Sequence, residues 1–182
     1  MILLLLAALC LISVPVSGGR LARLAELQLR CLWAAPLALA VQVLIITIAP
    51  GGNHTLHAAT HIATYALGGL FLWANRRLPG AHLISAGAIA NALAIIANAG
   101  VMPASATAQR LAGLTAGSGF HNSAHLTHPI LTWLGDIIPV PGPWPLGNVL
   151  SIGDCLIITG TLVLLHRTCR HPIPRQAVTS EP

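Results

Sequence analysis

The chain has no lysine, four acids and a single tyrosine in 182 residues, and only 7% of those residues are charged. A soluble domain usually carries about 25% charged residues, because its surface must face water. So thin a polar coat could not hydrate a water-facing surface, and lipid is expected to cover much of this one. All nine cations are arginines, and they stand between apolar runs instead of gathering on one patch. That scatter argues against a nucleic-acid surface and reads as topology signals. The four cysteines, Cys10, Cys31, Cys155 and Cys169, show no CxxC pair and no zinc-ligand spacing. They are expected to act as small hydrophobes without a structural disulfide.

What the chain does have is apolar length. Five stretches stand out: Ile2 to Val16, Cys31 to Ala49, Leu56 to Ala74, Ala81 to Val101 and Leu146 to Leu165. Each approaches the ~20 residues that a ~30 Å hydrocarbon core requires. The expected fold class is an all-α membrane protein with about five transmembrane helices. Met1 to Ser17 lacks the positive n-region of a secretory signal and reads as a retained first helix.

Arginine placement orients the helices. Arg20, Arg23 and Arg30 follow the first stretch, Arg76 and Arg77 the third, and Arg167, Arg170 and Arg175 the fifth. Only Arg110 falls on the other side. The positive-inside rule then puts the N-terminus outside and the C-terminus in the cytosol. A single domain is expected over residues 1–170, with a disordered cytosolic tail over 171–182. The external segment, 102–145, is too long for an ordinary connection. It is expected to be partly helical, with Ser105 capping a short helix, and to rest on the outer leaflet through Trp133 and Trp144.

Few residues in this setting carry chemistry. Asp154 lies in the fifth apolar stretch, where an ionisable group is a functional candidate. It also completes a capping box, Ser151-Ile152-Gly153-Asp154, in which the two side chains satisfy each other's backbone. Asp136 is a second acid on the same outer side. If the two carboxylates meet, one could act as base while the other keeps a proton. Asn91 and Asn98, seven apart on helix four, suit helix–helix hydrogen bonding, and Asn98 is placed at a depth from which it could hold Asp154. His54, His57 and His61 are spaced i, i+3, i+7, and His121, His125 and His128 i, i+4, i+7. Imidazoles in such groups are weak candidates for metal or haem ligation, but no HExxH occurs and no ligand set is fixed. No cofactor is implied.

The chain resembles domain-of-unknown-function family 5317. The likeness is carried by Asn75-Arg76-Arg77-Leu78-Pro79-Gly80, by Asn91 to Asn98-Ala99-Gly100 with Met102-Pro103, by Leu134-Gly135-Asp136-Ile137-Ile138-Pro139 and by Ser151-Ile152-Gly153-Asp154. The resemblance implies a bacterial multipass protein of the cytoplasmic membrane and no assigned activity. A partial likeness to lipoprotein signal peptidases covers only the spacing of Asp136 and Asp154. It departs where Ser151 replaces an amide.

The leading expectation is a non-catalytic or ligand-binding membrane protein, with an outer-leaflet site between helices four and five. The bilayer is an expected partner, other membrane subunits are left open, and nucleic acid is excluded. An aspartate-dependent intramembrane hydrolase using Asp136 and Asp154 is the first rival, and a histidine-ligated metal or haem protein the second.

Overall fold

Glycines set the central contact of the computed structural model, which describes residues 2–48, 54–114, 123–124, 129–142 and 147–170. Helices α4 (Ala81–Ala97) and α6 (Ile152–Arg170) run antiparallel and touch backbone to backbone. A Cβ added at Gly87 would collide with the Gly153 carbonyl, and one at Gly160 would stand 2.7 Å from Ile84 Cγ1. Gly80, just before α4, adopts φ 79° with its Cα against the Gly160 carbonyl. A helix-interior glycine costs about 1 kcal/mol relative to alanine. Here the close approach of two helices offsets that cost through dispersion contact along their length.

The remaining helices flank this pair. Helix α1 (Ile2–Val16) ends at Pro15 and Gly18, and packs Cys10 and Val14 against Leu165 and Cys169 of α6. His166 reaches back to α1, with Nε2 at 2.9 Å from Ser13 Oγ and Nδ1 at 3.3 Å from Ser17 Oγ. Helix α2 (Ala34–Ile48) packs on α3 (His54–Ala74), and α3 lies beside α4. The 3₁₀ turn Leu21–Glu26 rests on the end of α6.

Arginines gather at one end of this helix layer. The Arg20 N–H and Arg23 Nη1 both donate to the Cys169 carbonyl, at 3.1 and 2.9 Å, and Arg170 Nη2 donates to the Ser17 carbonyl at 2.8 Å. Cations at a helix C-terminus satisfy its last carbonyls and oppose its dipole. Asn75, which follows α3, binds the Arg30 peptide at the same end. Arg20, Arg23, Arg30, Arg76, Arg77, Arg167 and Arg170 therefore share one end of the molecule among the described residues.

The opposite end is not helical throughout. Strand β1 (Met102–Pro103) pairs in parallel with β2 (Ser123–Ala124). Ser105 accepts from the Ala108 N–H and caps α5 (Ala106–Leu111). Strands β3 (Asp136–Val140) and β4 (Asn148–Ser151) form an antiparallel hairpin with a bulge between Asp136 and Ile138. Ser151, the last residue of β4, is also the cap of α6.

Two parts of the expected all-α, five-helix fold are corrected. Among the described residues one helix, α6, is long and apolar enough to cross a membrane. Helices α1 and α2 have 15 residues each and α4 has 17, and the described part of α3 that is apolar is Ala63–Ala74. The reasons are local. Gly18 closes α1, left-handed Ala99 (φ 54°) and Gly100 (φ 92°) close α4, and polar residues fill the first turns of α3. The second correction is the hairpin. Asn148 to Ser151, read as the opening of the fifth helix, instead pairs with Asp136–Val140, because its apolar residues find cross-strand partners there. The tail over residues 171–182 lies outside the described residues.

Candidate functional site

The hairpin delivers two backbone positions to the top of α6, and the side chains then close a network. Asp154 Oδ2 accepts from the Ser151 N–H at 3.0 Å, while Ser151 Oγ accepts from the Asp154 N–H at 2.9 Å. This is a reciprocal capping box, with an acid at the positive end of the helix dipole. Asn91 of α4 completes it. Its Nδ2 donates to Asp154 Oδ1 at 2.9 Å, and its Oδ1 accepts from Ser151 Oγ at 2.8 Å. Both carboxylate oxygens and the hydroxyl are thereby occupied, and Ser151 is fully buried.

Asp136 approaches from the other strand. It is the register partner of Ser151, it is buried, and its carbonyl accepts from the Ser105 N–H at 2.9 Å. Tyr65 of α3 lies within electrostatic reach of both Asp136 and Asp154 and packs beside the Ala94, Ile95, Met102 and Leu134 cluster. The structure thus brings Asn91, Ser151, Asp154 and Asp136 into one neighbourhood, and adds a tyrosine that the sequence did not single out.

Asn98 does something else. Its Nδ2 donates to the Ala94 and Ile130 carbonyls, each at 2.7 Å, and its Oδ1 accepts from the Ile130 N–H at 2.9 Å. Asn75 repeats the arrangement at the arginine end. Its Nδ2 donates to the Phe71 and Arg30 carbonyls, each at 2.8 Å, and its Oδ1 accepts from the Arg30 N–H at 2.9 Å. Each amide grips a distant peptide by both of its polar groups, as a strand partner would. In each case the next residue is left-handed, Leu131 at φ 54° and Cys31 at φ 52°. That conformation costs roughly 1–2 kcal/mol for a residue with a Cβ, so the clamp holds strain in place. Three residues beyond each clamp comes an exposed tryptophan, Trp133 (60%) and Trp33 (57%). Sequence reasoning placed Asn98 beside Asp154 and passed over Asn75. An Ala-Asn pair at both helix ends was the available signal.

Asn98→Ala is expected to destabilise the fold by about 2 kcal/mol, since it leaves both polar groups of the Ile130 peptide short of a partner. Hydrogen exchange checks this at one amide. The Ile130 N–H exchanges markedly faster in the variant, by a larger factor than amides in the middle of α6, which follow only the global loss.

A groove of about 590 Å³ runs between α3 and α4. Thr64 and Tyr65 stand at one end of it, Arg76 and His82 at the other, with Gly68, Gly69, Ile89 and Ala92 between. Arg76 lies over the Trp73 ring at 4.8 Å from its centroid and donates to the Trp73 carbonyl at 3.0 Å. The α4–α6 interface, in contrast, is closed by its glycines.

His54, His57 and His61 lie on α3, with side chains outside the described residues; His121, His125 and His128 lie wholly outside them. Among the described residues no group of three or more His, Cys, Asp or Glu side chains is placed to hold a metal ion.

Fold and site together define a mostly helical chain whose last helix is capped by a β-hairpin and locked by an asparagine from its neighbour. The chain belongs to the family of unknown function DUF5317, whose profile matches residues 26–166. It is 34% identical over 93 residues to an uncharacterised protein of Thermotoga maritima, a match covering 51% of this chain and 54% of that one. The chain thus matches about half the length of this relative. No solved structure matches it.

Proposed function

We propose that this chain is a non-catalytic binding protein embedded in the bacterial cytoplasmic membrane. In this reading α6 crosses the bilayer, and the shorter apolar helices pack beside it. The arginine end faces the cytosol, where the positive-inside rule places it.

One observation carries the reading. The two asparagine clamps stand at opposite ends of the helix layer, and an exposed tryptophan follows the residue each one holds, Trp33 after Arg30 and Trp133 after Ile130. Between them the outward faces carry Leu9, Ile12, Leu39, Ile89, Leu93 and Ile96, all exposed. A water-soluble monomer seldom displays so many large apolar side chains on its helices. Tryptophan settles at the two membrane–water boundaries, and aliphatic side chains fill the band between them.

The non-catalytic part rests on the occupied junction. A general base must be able to take a proton, and a nucleophile must reach its substrate. Asp154 already accepts at both oxygens, and the buried Ser151 hydroxyl both donates and accepts. The open volume lies along α3 and α4, so the ligand is placed in that groove, beside the junction.

Alkaline carbonate washing of membranes from expressing cells tests the placement. The full chain is expected to remain in the pellet, and its release into the supernatant overturns the reading. Hydrolysis of a lipoprotein-type substrate, lost in Asp154→Asn, would equally overturn the non-catalytic assignment.

A further inference from the structure

The α3–α4 groove has a floor that packing among the described residues does not account for. At Gly80, Gly87, Gly153 and Gly160 an added Cβ would strike another helix, so those glycines serve the fold. At Gly68 and Gly69 a Cβ would meet nothing within 4 Å among the described residues. Neither of the two has a left-handed φ, so no turn requires a glycine there. Each weakens α3 by about 1 kcal/mol relative to alanine. Two adjacent glycines lining a groove let an occupant from outside the chain approach the helix backbone closely.

The ends of the groove differ in chemistry. Its walls along Gly68, Leu72, Ala88, Ile89 and Ala92 are apolar, whereas Arg76 and His82 stand together at the cytosolic end. Among the described residues Arg76 has no acidic partner; its contacts are the Trp73 ring and carbonyl. The first turn of α4 beside it has no side-chain cap and no acid, so nothing there offsets the positive end of the helix dipole. From Tyr65 to Arg76 the helix rises roughly 16 Å, the depth of one hydrocarbon leaflet.

We propose that this groove holds one anionic glycerophospholipid of the cytosolic leaflet, its acyl chain over Gly68–Gly69 and its phosphate at Arg76 and His82. This rests on the membrane-embedded reading above. A second copy of the chain is the poorer occupant. Two chains with the same orientation, meeting through α3, would bring the Arg76–Arg77 pair of each against the other, and like charges at close range repel. A lipid phosphate instead supplies the missing counter-charge. Lipid packed along the glycines would also explain why open helix backbone is tolerated there.

The test uses full-length chain in phosphatidylcholine vesicles, with Trp33, Trp133 and Trp144 replaced by Phe so that Trp73 is the remaining fluorophore. Brominated phosphatidylglycerol and brominated phosphatidylcholine are compared as quenchers at equal, low mole fraction. The anionic lipid is expected to quench about fivefold more effectively, the preference that one guanidinium near a headgroup supplies. Arg76→Gln should reduce that ratio to near one, while Arg77→Gln, which is outside the groove lining, should leave it unchanged. Gly69→Leu fills the floor and should weaken quenching by both lipids. Equal quenching by the two lipids in the parent chain, or equal loss of preference in Arg76→Gln and Arg77→Gln, overturns the proposal but leaves a groove ligand in place. Quenching indifferent to Gly69→Leu overturns the proposal and, with it, the placement of the ligand in the groove.

Discussion

Gly87→Leu is expected to abolish the folded protein, or to leave it at least about 3 kcal/mol less stable, the upper range of core overpacking. The side chain would project into the Gly153 carbonyl and stand within 2.8 Å of Ile157 Cγ1. No rotamer avoids this, because the collision begins at Cβ. The two helices must separate, and the Asn91 bonds to Ser151 and Asp154 go with them. Thermal unfolding of detergent-purified protein, followed by size-exclusion, reads the effect directly. Gly69→Ala provides the contrast. With open space at that position, the substitution should stabilise α3 by up to about 1 kcal/mol. If both variants behaved alike, the backbone-to-backbone contact of α4 and α6 would be wrong.

The second large effect belongs to Asn91. Asn91→Ala removes the donor to Asp154 Oδ1 and the acceptor for the Ser151 O–H together, leaving that carboxylate oxygen and that hydroxyl proton unpaired while Ser151 Oγ still accepts from the Asp154 N–H. Each such atom costs about 1–3 kcal/mol, so a loss of about 3 kcal/mol is expected. Asp154→Asn should be far milder, about 1 kcal/mol. The new amide oxygen still accepts from the Ser151 N–H, and rotation of the Asn91 amide restores a matched pair between the two side chains, so that only the Ser151 O–H loses its acceptor. A double-mutant cycle of Asn91→Ala with Asp154→Asn measures the coupling. Coupling near zero would mean that Asn91 does not hold the cap of α6. An Asp154→Asn variant worse than Asn91→Ala would indicate a role for the charge itself.

Local signals in this sequence translated well into structure, and non-local ones did not. The Ser105 cap and the Ser151–Asp154 box were legible because each requires only residues three apart. The described arginines of the three groups share one end as expected, but the five-span count from which that was read does not hold. What failed was everything settled by a partner far along the chain. Nothing near Asn148 says that Val149 and Leu150 will pair with Pro139 and Ile138, so the segment read as more helix. Asn91 and Asn98 look equivalent on a helical wheel. The fold separates them, because only Asn91 stands level with Gly153, while Asn98 has passed the last turn of α4 and meets Ile130 instead. Glycines show the same limit. Gly68, Gly69, Gly87 and Gly160 are alike in the sequence, and only the structure tells which ones another helix covers.

The cap that joins β4 to α6 has a consequence for biosynthesis. Its partner on α4 is made some sixty positions earlier, since Asn91 bonds to Ser151 across a separation of 60. A nascent chain that has reached only residue 114 has already made Asn91, Gly80 and Gly87 but has nothing to set against them. The docking surface on α4 therefore waits, exposed, until the ribosome has finished the final helix. Ribosome-bound truncations ending before Asn148 should be readily degraded, and those that release α6 should become protease-resistant in a single step.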